Sequence, residues 1–168
     1  MIDVMEFVRD SGGEAGLRAT REHLDPEALT SFDGLLRESE WYPLEHLVAY
    51  LRAAKKALGP DEPGFYRRLG RFSGTRQRAY LGSMIAPDAR ARLAATIWRL
   101  FYDAGSLVVA GEGDDAVGQI HDFPTTPELC ERFCGSWEAA SSTPEHEAHA
   151  TETRCVLRGD PYCEFRVR

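Results

Sequence analysis

Apolar positions in the first hundred residues recur mostly at three- and four-residue intervals, the period of a helix with one buried face. The spacing predicts a short amphipathic helix over residues 1–10, where Ile2, Met5, Phe7 and Val8 are apolar. Ser11-Gly12-Gly13 ends it, because glycine reaches the left-handed backbone that terminates helices, and a second helix covers Glu14–Leu24. Asp25-Pro26 restarts helical structure, with Asp25 as cap and Pro26 in the first turn. Residues 31–40, broken by Asp33-Gly34, show no clear period. Trp41-Tyr42-Pro43 opens the strongest helix, with the two aromatics packing at its entry. Its Leu44, Leu47, Val48, Leu51, Ala54 and Leu58 share a face, and Gly59-Pro60 stops it. Another helical region spans Pro63–Ile85, with Gly70, Gly74 and Gly82 weakening its continuity. Ala86-Pro87-Asp88 separates it from a helix over Asp88–Tyr102, which sets Leu93, Ile97, Leu100 and Phe101 on one face with Trp98 beside them.

The pattern changes after Gly105. Ser106–Ala110 is short and β-branched, Gly111–Asp115 has turn chemistry, and Ala116–Phe123 returns as a second strand of a hairpin. A helix follows from about Pro127 to Ala140, with Thr126 as N-cap. Residues 145–157 and 162–168 read as two strands joined at Arg158-Gly159-Asp160-Pro161. The fold class is α+β: N-terminal helices packed on a small antiparallel sheet, with the last helix clipped to the final hairpin. No repeat, low-complexity tract or linker divides the chain. Residues 1–168 therefore read as one domain, helical over 1–103 and sheet-bearing over 104–168.

Charge narrows the function. The net charge is −7 and the basic residues are mostly scattered, which argues against a duplex nucleic-acid binder. The local cluster of Arg67, Arg68, Arg71, Arg76 and Arg78 reads as a solvated helix face. No apolar run approaches the ~20 residues of a membrane span. Met1–Glu6 carries acid where a signal peptide needs a positive stretch, so a cytoplasmic protein is expected. Thiols stay reduced there, and clustered cysteines are more often metal ligands than disulfides.

All four cysteines lie between positions 130 and 163. Cys155 and Cys163, eight apart across a tight turn, can bring their sulfurs together, and Cys130 on the preceding helix can tie helix to hairpin. Such soft ligands suit a tetrahedral zinc site; buried core thiols and a disulfide are the competing readings. Spacing leaves the fourth ligand open among Glu152, His149, His146 and Cys134. Regular strand alternation puts His149 on the face of Cys155 and Glu152 on the other. A bulge between Glu152 and Cys155 would reverse that order.

The segment from Cys130 to Val167 resembles the vinyl-4-reductase domain and its relatives, the sensor domains of phenol-responsive activators. The matching positions are Cys130 with Gly135 and Ala139 beyond it, then Glu152, Cys155, Gly159, Asp160 and Cys163. The resemblance implies a zinc held by Cys130, Glu152, Cys155 and Cys163, with Cys134 spare, on a fold shared with TRAPP subunits. Three thiolates and a carboxylate leave no open position, so the zinc would be structural. The stretch from Trp41-Tyr42-Pro43-Leu44 onward resembles an uncharacterised family of myxobacteria, which implies no activity.

No histidine has a convincing nucleophile partner. No phosphate-binding glycine loop or strand–turn–helix nucleophile is present. A relation to haem-containing nitric-oxide sensors is unsupported, because neither a proximal histidine nor a haem-propionate motif can be placed. The expected function is a non-enzymatic, sensor-like module for a small apolar ligand lined by Trp98, Phe101, Tyr102 and Trp137, signalling through a partner protein or as a homodimer. The alternative is a TRAPP-like assembly subunit whose pocket is filled by its own side chains. A reductase role has only the family name behind it.

Overall fold

The computed structural model describes residues 1–33, 36–37, 40–82, 93–110 and 117–168. The Gly34 break, the Ala86-Pro87-Asp88 separator, the start of the helix expected from Asp88 and the Gly111–Asp115 turn lie outside the described residues.

Among the described residues, six helices precede or interrupt a four-stranded sheet. The first, α1, runs over Ile2–Glu22. The glycine break expected near its middle is a kink: Gly13 sits at φ 61°, ψ −159°, and the helix resumes at once. The neighbouring glycine has a packing reason, since a Cβ on Gly12 would stand 2.5 Å from Leu58 Cδ2. A short α2 (Pro26–Thr30) starts with the Asp25 carboxylate accepting from the Ala28 N–H at 2.7 Å. In α3 (Leu44–Leu58) the predicted stripe is the buried one: Leu47, Val48, Leu51 and Ala54 pack with Val4, Phe7, Val8 and Leu17 of α1. Trp41 is 58% exposed at the entry to α3, not packed there as expected.

The fourth helix, α4, is continuous over Phe65–Gly82 despite its glycines. They are the contact points with α6 (Pro127–Ser141). A Cβ on Gly70 would lie 2.0 Å from the Arg132 carbonyl oxygen, and one on Gly74 2.4 Å from that of Ser136. From the other side, a Cβ on Gly135 would lie 1.9 Å from the Arg67 oxygen. The two backbones therefore touch. Glu138 of α6 locks the same pair, accepting from Arg67, Arg71 and the Ala150 N–H.

Beyond α5 (Ala94–Phe101), strands β1 (Ser106–Ala110) and β2 (Val117–His121) form the expected hairpin. With β3 (Ala150–Arg154) and β4 (Cys163–Val167) they make an antiparallel sheet in the order β1-β2-β4-β3. The inner face carries Leu107, Ile120, Cys163 and Phe165, buried under α6. The outer face is polar, with Gln119 donating to Glu164 at 2.9 Å and Thr153 to the same carboxylate. The fold class is α+β as expected, and the last helix lies against the final hairpin.

Candidate metal centre

Cys130, Glu152, Cys155 and Cys163 converge where α6 meets the β3–β4 hairpin, each offering a ligand atom within 4.8 Å of the others. Local structure explains the convergence. Thr126 caps α6 through the Leu129 N–H, which sets Cys130 in the first turn, where the helix dipole favours a thiolate. A bulge in β3 then decides which of the remaining candidates stands beside the thiols. Glu152 pairs with Phe165 and Arg154 with Glu164, so Thr153 is an extra residue opposite nothing. Glu152 and Cys155 consequently face the same side. His149, favoured by regular alternation, is exposed, and its backbone only extends the ladder to Arg168. His146 is exposed in a bridge with Thr143.

The turn between the two hairpin cysteines is a short 3₁₀ segment, Val156–Arg158. Gly159 closes it at φ 91°, a left-handed conformation that favours glycine. Asp160 braces it, its Oδ2 accepting from the Cys155 N–H at 2.8 Å. The sulfurs of Cys130 and Cys163 lie 3.7 and 3.8 Å from that of Cys155. All four cysteines are free of disulfides.

Burial pushes the Cys130 thiol far above its ordinary value; the Thr125 hydroxyl opposes this and Glu152 adds to it. Burial likewise raises Cys163 to about 11, helped by Cys155. Without a cation these thiols hold their protons at neutral pH, and metal binding would displace them. One atom is suited to a cation. Glu152 Oε1 is buried with no hydrogen-bond partner, a costly state for a carboxylate oxygen unless a positive ion lies beside it. The donor set therefore fits a thiophilic metal ion held by four protein ligands.

Cys134, one turn beyond Cys130, is buried outside this set, and burial raises its thiol to about 11. Of the four aromatic residues expected to line a ligand site, Trp98 and Tyr102 pack against each other. Trp98 and Tyr102 lie 4.4 Å apart by ring centroid, and both abut Phe123 and Phe133. Trp137 stacks on Phe165 at 6.2 Å, and Phe101 is half-buried. Elsewhere, an open polar groove of about 310 Å³ is lined by Arg71, Thr75, Arg78, Glu138 and Glu147, among others.

Some interactions carry no sequence signal. Arg132 is buried, donating to Tyr102 at 2.9 Å and to Asp3 at 2.8 Å. His46 Nδ1 and Ser31 Oγ stand 2.8 Å apart, a nucleophile–imidazole pair that spacing did not suggest. Among the described residues no acid bonds the other ring nitrogen, so the pair ties α2 to α3 without triad geometry.

No family model matches the chain, and no curated protein matches it. Solved structures do. An H-NOX protein from S. oneidensis in the Fe(II)NO ligation state matches at a TM-score of 0.70 and 11% identity, over 99% of this chain and 97% of that one. An Fe(II) unliganded H-NOX mutant from K. algicida matches at 0.66 and 10%, over 99% and 92%. An oxygen-binding H-NOX domain related to soluble guanylate cyclases matches at 0.61 and 14%, over 98% and 89%. These likenesses overturn the resemblance to vinyl-4-reductase domains and TRAPP subunits, which rested on a helix–hairpin motif covering about a quarter of the chain. A ligand pattern that local is portable between folds. The zinc cofactor implied by that resemblance falls with it, since the similar structures are described by iron and haem. What the likeness shows is the architecture: the chain has the fold of these H-NOX structures.

Proposed function

We propose that the chain is a non-enzymatic sensor domain that responds to a small ligand and passes the change to a partner protein or a second copy of itself. The observation that carries this reading is the fold likeness over nearly the full length of both chains to proteins described as gas-ligated or oxygen-binding. Among the described residues no helix is long and apolar enough to cross a membrane. Reduced, unpaired cysteines suit the cytoplasm.

The interior between α5, β2 and α6, as the described residues pack it, does not fit a haem. Its iron needs an axial ligand such as histidine, thiolate or tyrosine. None of the five histidines is buried. The hydroxyl of Tyr102 is held by Arg132. Three of the buried thiols crowd one another and a carboxylate at the hairpin. Rings also occupy the interior between α5, β2 and α6, with Trp98, Tyr102, Phe123 and Phe133 separated by 4.4–5.9 Å. We assign ligand response to Trp98, Phe101, Tyr102 and Trp137, which would have to part from their packed neighbours to admit a small apolar molecule, and the metal ligands to Cys130, Glu152, Cys155 and Cys163. The metal would hold helix to hairpin, and the chain's own residues would bind the ligand and shift.

Native mass spectrometry of the protein isolated from its own host tests this. The expected species is the chain plus one metal ion, with a retained small apolar molecule or partner chain and no haem. A stoichiometric haem adduct, or a bare monomer that takes up neither metal nor ligand, would overturn the reading.

A further inference from the structure

The Glu152 carboxylate has two oxygens in different surroundings. Oε1 is buried and unpartnered beside the thiols, while Oε2 accepts from Arg158 Nη1 at 3.0 Å. We propose that Arg158 is the positioning residue of the metal centre: it clamps Glu152 so that the other oxygen is presented to the ion. This rests on the metal-centre reading above.

Three observations support it. First, Glu152 is the most exposed of the four ligands, at 14% for its side chain, whereas the three cysteines are 2–7% exposed. The thiols are enclosed by packing. A carboxylate on a strand edge can rotate towards water unless something fixes its outer oxygen. Second, Arg158 is held by the turn that places the hairpin cysteines. Its N–H donates to the Cys155 carbonyl at 2.9 Å, and Gly159 and Asp160 close the loop behind it. The clamp and two ligands therefore share one rigid segment. Third, the charges match. Three thiolates and a carboxylate around a divalent ion leave an excess of negative charge, and the Arg158 guanidinium is hydrogen-bonded to that set. Partners of this kind, which orient metal ligands, change metal affinity by about 10–100-fold when removed.

Cobalt(II) is a suitable probe, because its ligand-field absorption reports how many ligands surround it and of what kind. The wild-type chain, loaded with cobalt(II), is expected to show tetrahedral thiolate-rich bands and slow release to a chelator. Arg158→Ala is expected to release cobalt about tenfold faster or more, with a shifted ligand-field pattern. The thermal stability of the metal-free form should not change, since Arg158 is half exposed. Arg158→Lys keeps the charge but not the directed donor and should fall between the two. The decisive measurement repeats Arg158→Ala in a Glu152→Ala background, where a clamp acting through Glu152 leaves nothing further to lose. Equal spectra and release rates for wild type, Arg158→Ala and Arg158→Lys would overturn the clamp and leave the metal centre standing. Additive losses in the double variant would also overturn it. Failure of the wild type to take up cobalt(II) would overturn the metal centre, and the clamp with it.

Discussion

Glu138 is 1% exposed, yet it is charged. Burial alone would raise its pKa, but hydrogen bonds from Arg67, the Ala150 N–H and Arg71 outweigh it and bring the value down to about 2. A carboxylate depressed in the folded state contributes stability that is complete above its ordinary value near 4.5 and is lost as pH falls towards 2. Denaturant unfolding followed from pH 6 to 2 is therefore expected to show a loss over that interval that is reduced in Glu138→Gln. At neutral pH that variant should be less stable by about 2–3 kcal/mol, since it leaves strong donors poorly matched. Nothing in the amino-acid pattern marked this residue, because its partners lie on α4 and β3 and only the folded chain brings them to it.

Between elements, the tightest fit is the backbone contact of α4 with α6. Gly70→Ala or Gly135→Ala would drive a methyl group into a carbonyl on the facing helix, and each is expected to cost about 3 kcal/mol or more. Gly13→Ala is the control: nothing lies near its Cβ position, so only its φ of 61° with ψ −159°, a backbone that favours glycine, opposes the change, at about 1–3 kcal/mol. Chemical denaturation of the three variants separates close approach from backbone strain. Much of the helical pattern was legible, since the stripe of α3, the Thr126 cap of α6 and both hairpins follow from period and turn chemistry; the apolar face expected on α5 was not, because Leu93 and Leu100 are exposed and Trp98 beside them is the buried residue. The meaning of Gly70 and Gly74 was not. Read locally they weaken a helix, and their value appears only when the facing backbone is in place. The fourth candidate ligand was half legible: regular alternation favoured His149, a bulge was named as what would reverse that order in favour of Glu152, and only the folded strand shows the extra residue.

For the whole molecule, the helix–hairpin clip and the architecture around it are separate matters. The ligands sit within the last 40 residues, so their spacing could be read without knowing where α1–α5 lie. The arrangement of those helices depends on contacts between distant segments, such as Asp3 with Arg132, and no local pattern announces them. A metal bound by these side chains would nevertheless bear on the stability of the whole. Cys155→Ser, or exhaustive chelation of the wild type, is expected to lower stability by about 3 kcal/mol or more, because metal binding and folding are coupled. Melting curves in the presence and absence of chelator check this. Indistinguishable curves for the wild type would make the four side chains ordinary core.

Thr153 has a consequence for finding kindred centres elsewhere. Because it is opposite nothing on β4, two ligands three positions apart behave as if they were two apart on a straight strand. Deleting Thr153 would remove the irregularity and still leave Glu152 and the following cysteine pointing the same way. One geometry therefore answers to two spellings, Glu-x-x-Cys with a bulge and Glu-x-Cys without. A search keyed to either spacing alone would pass over every centre written in the other.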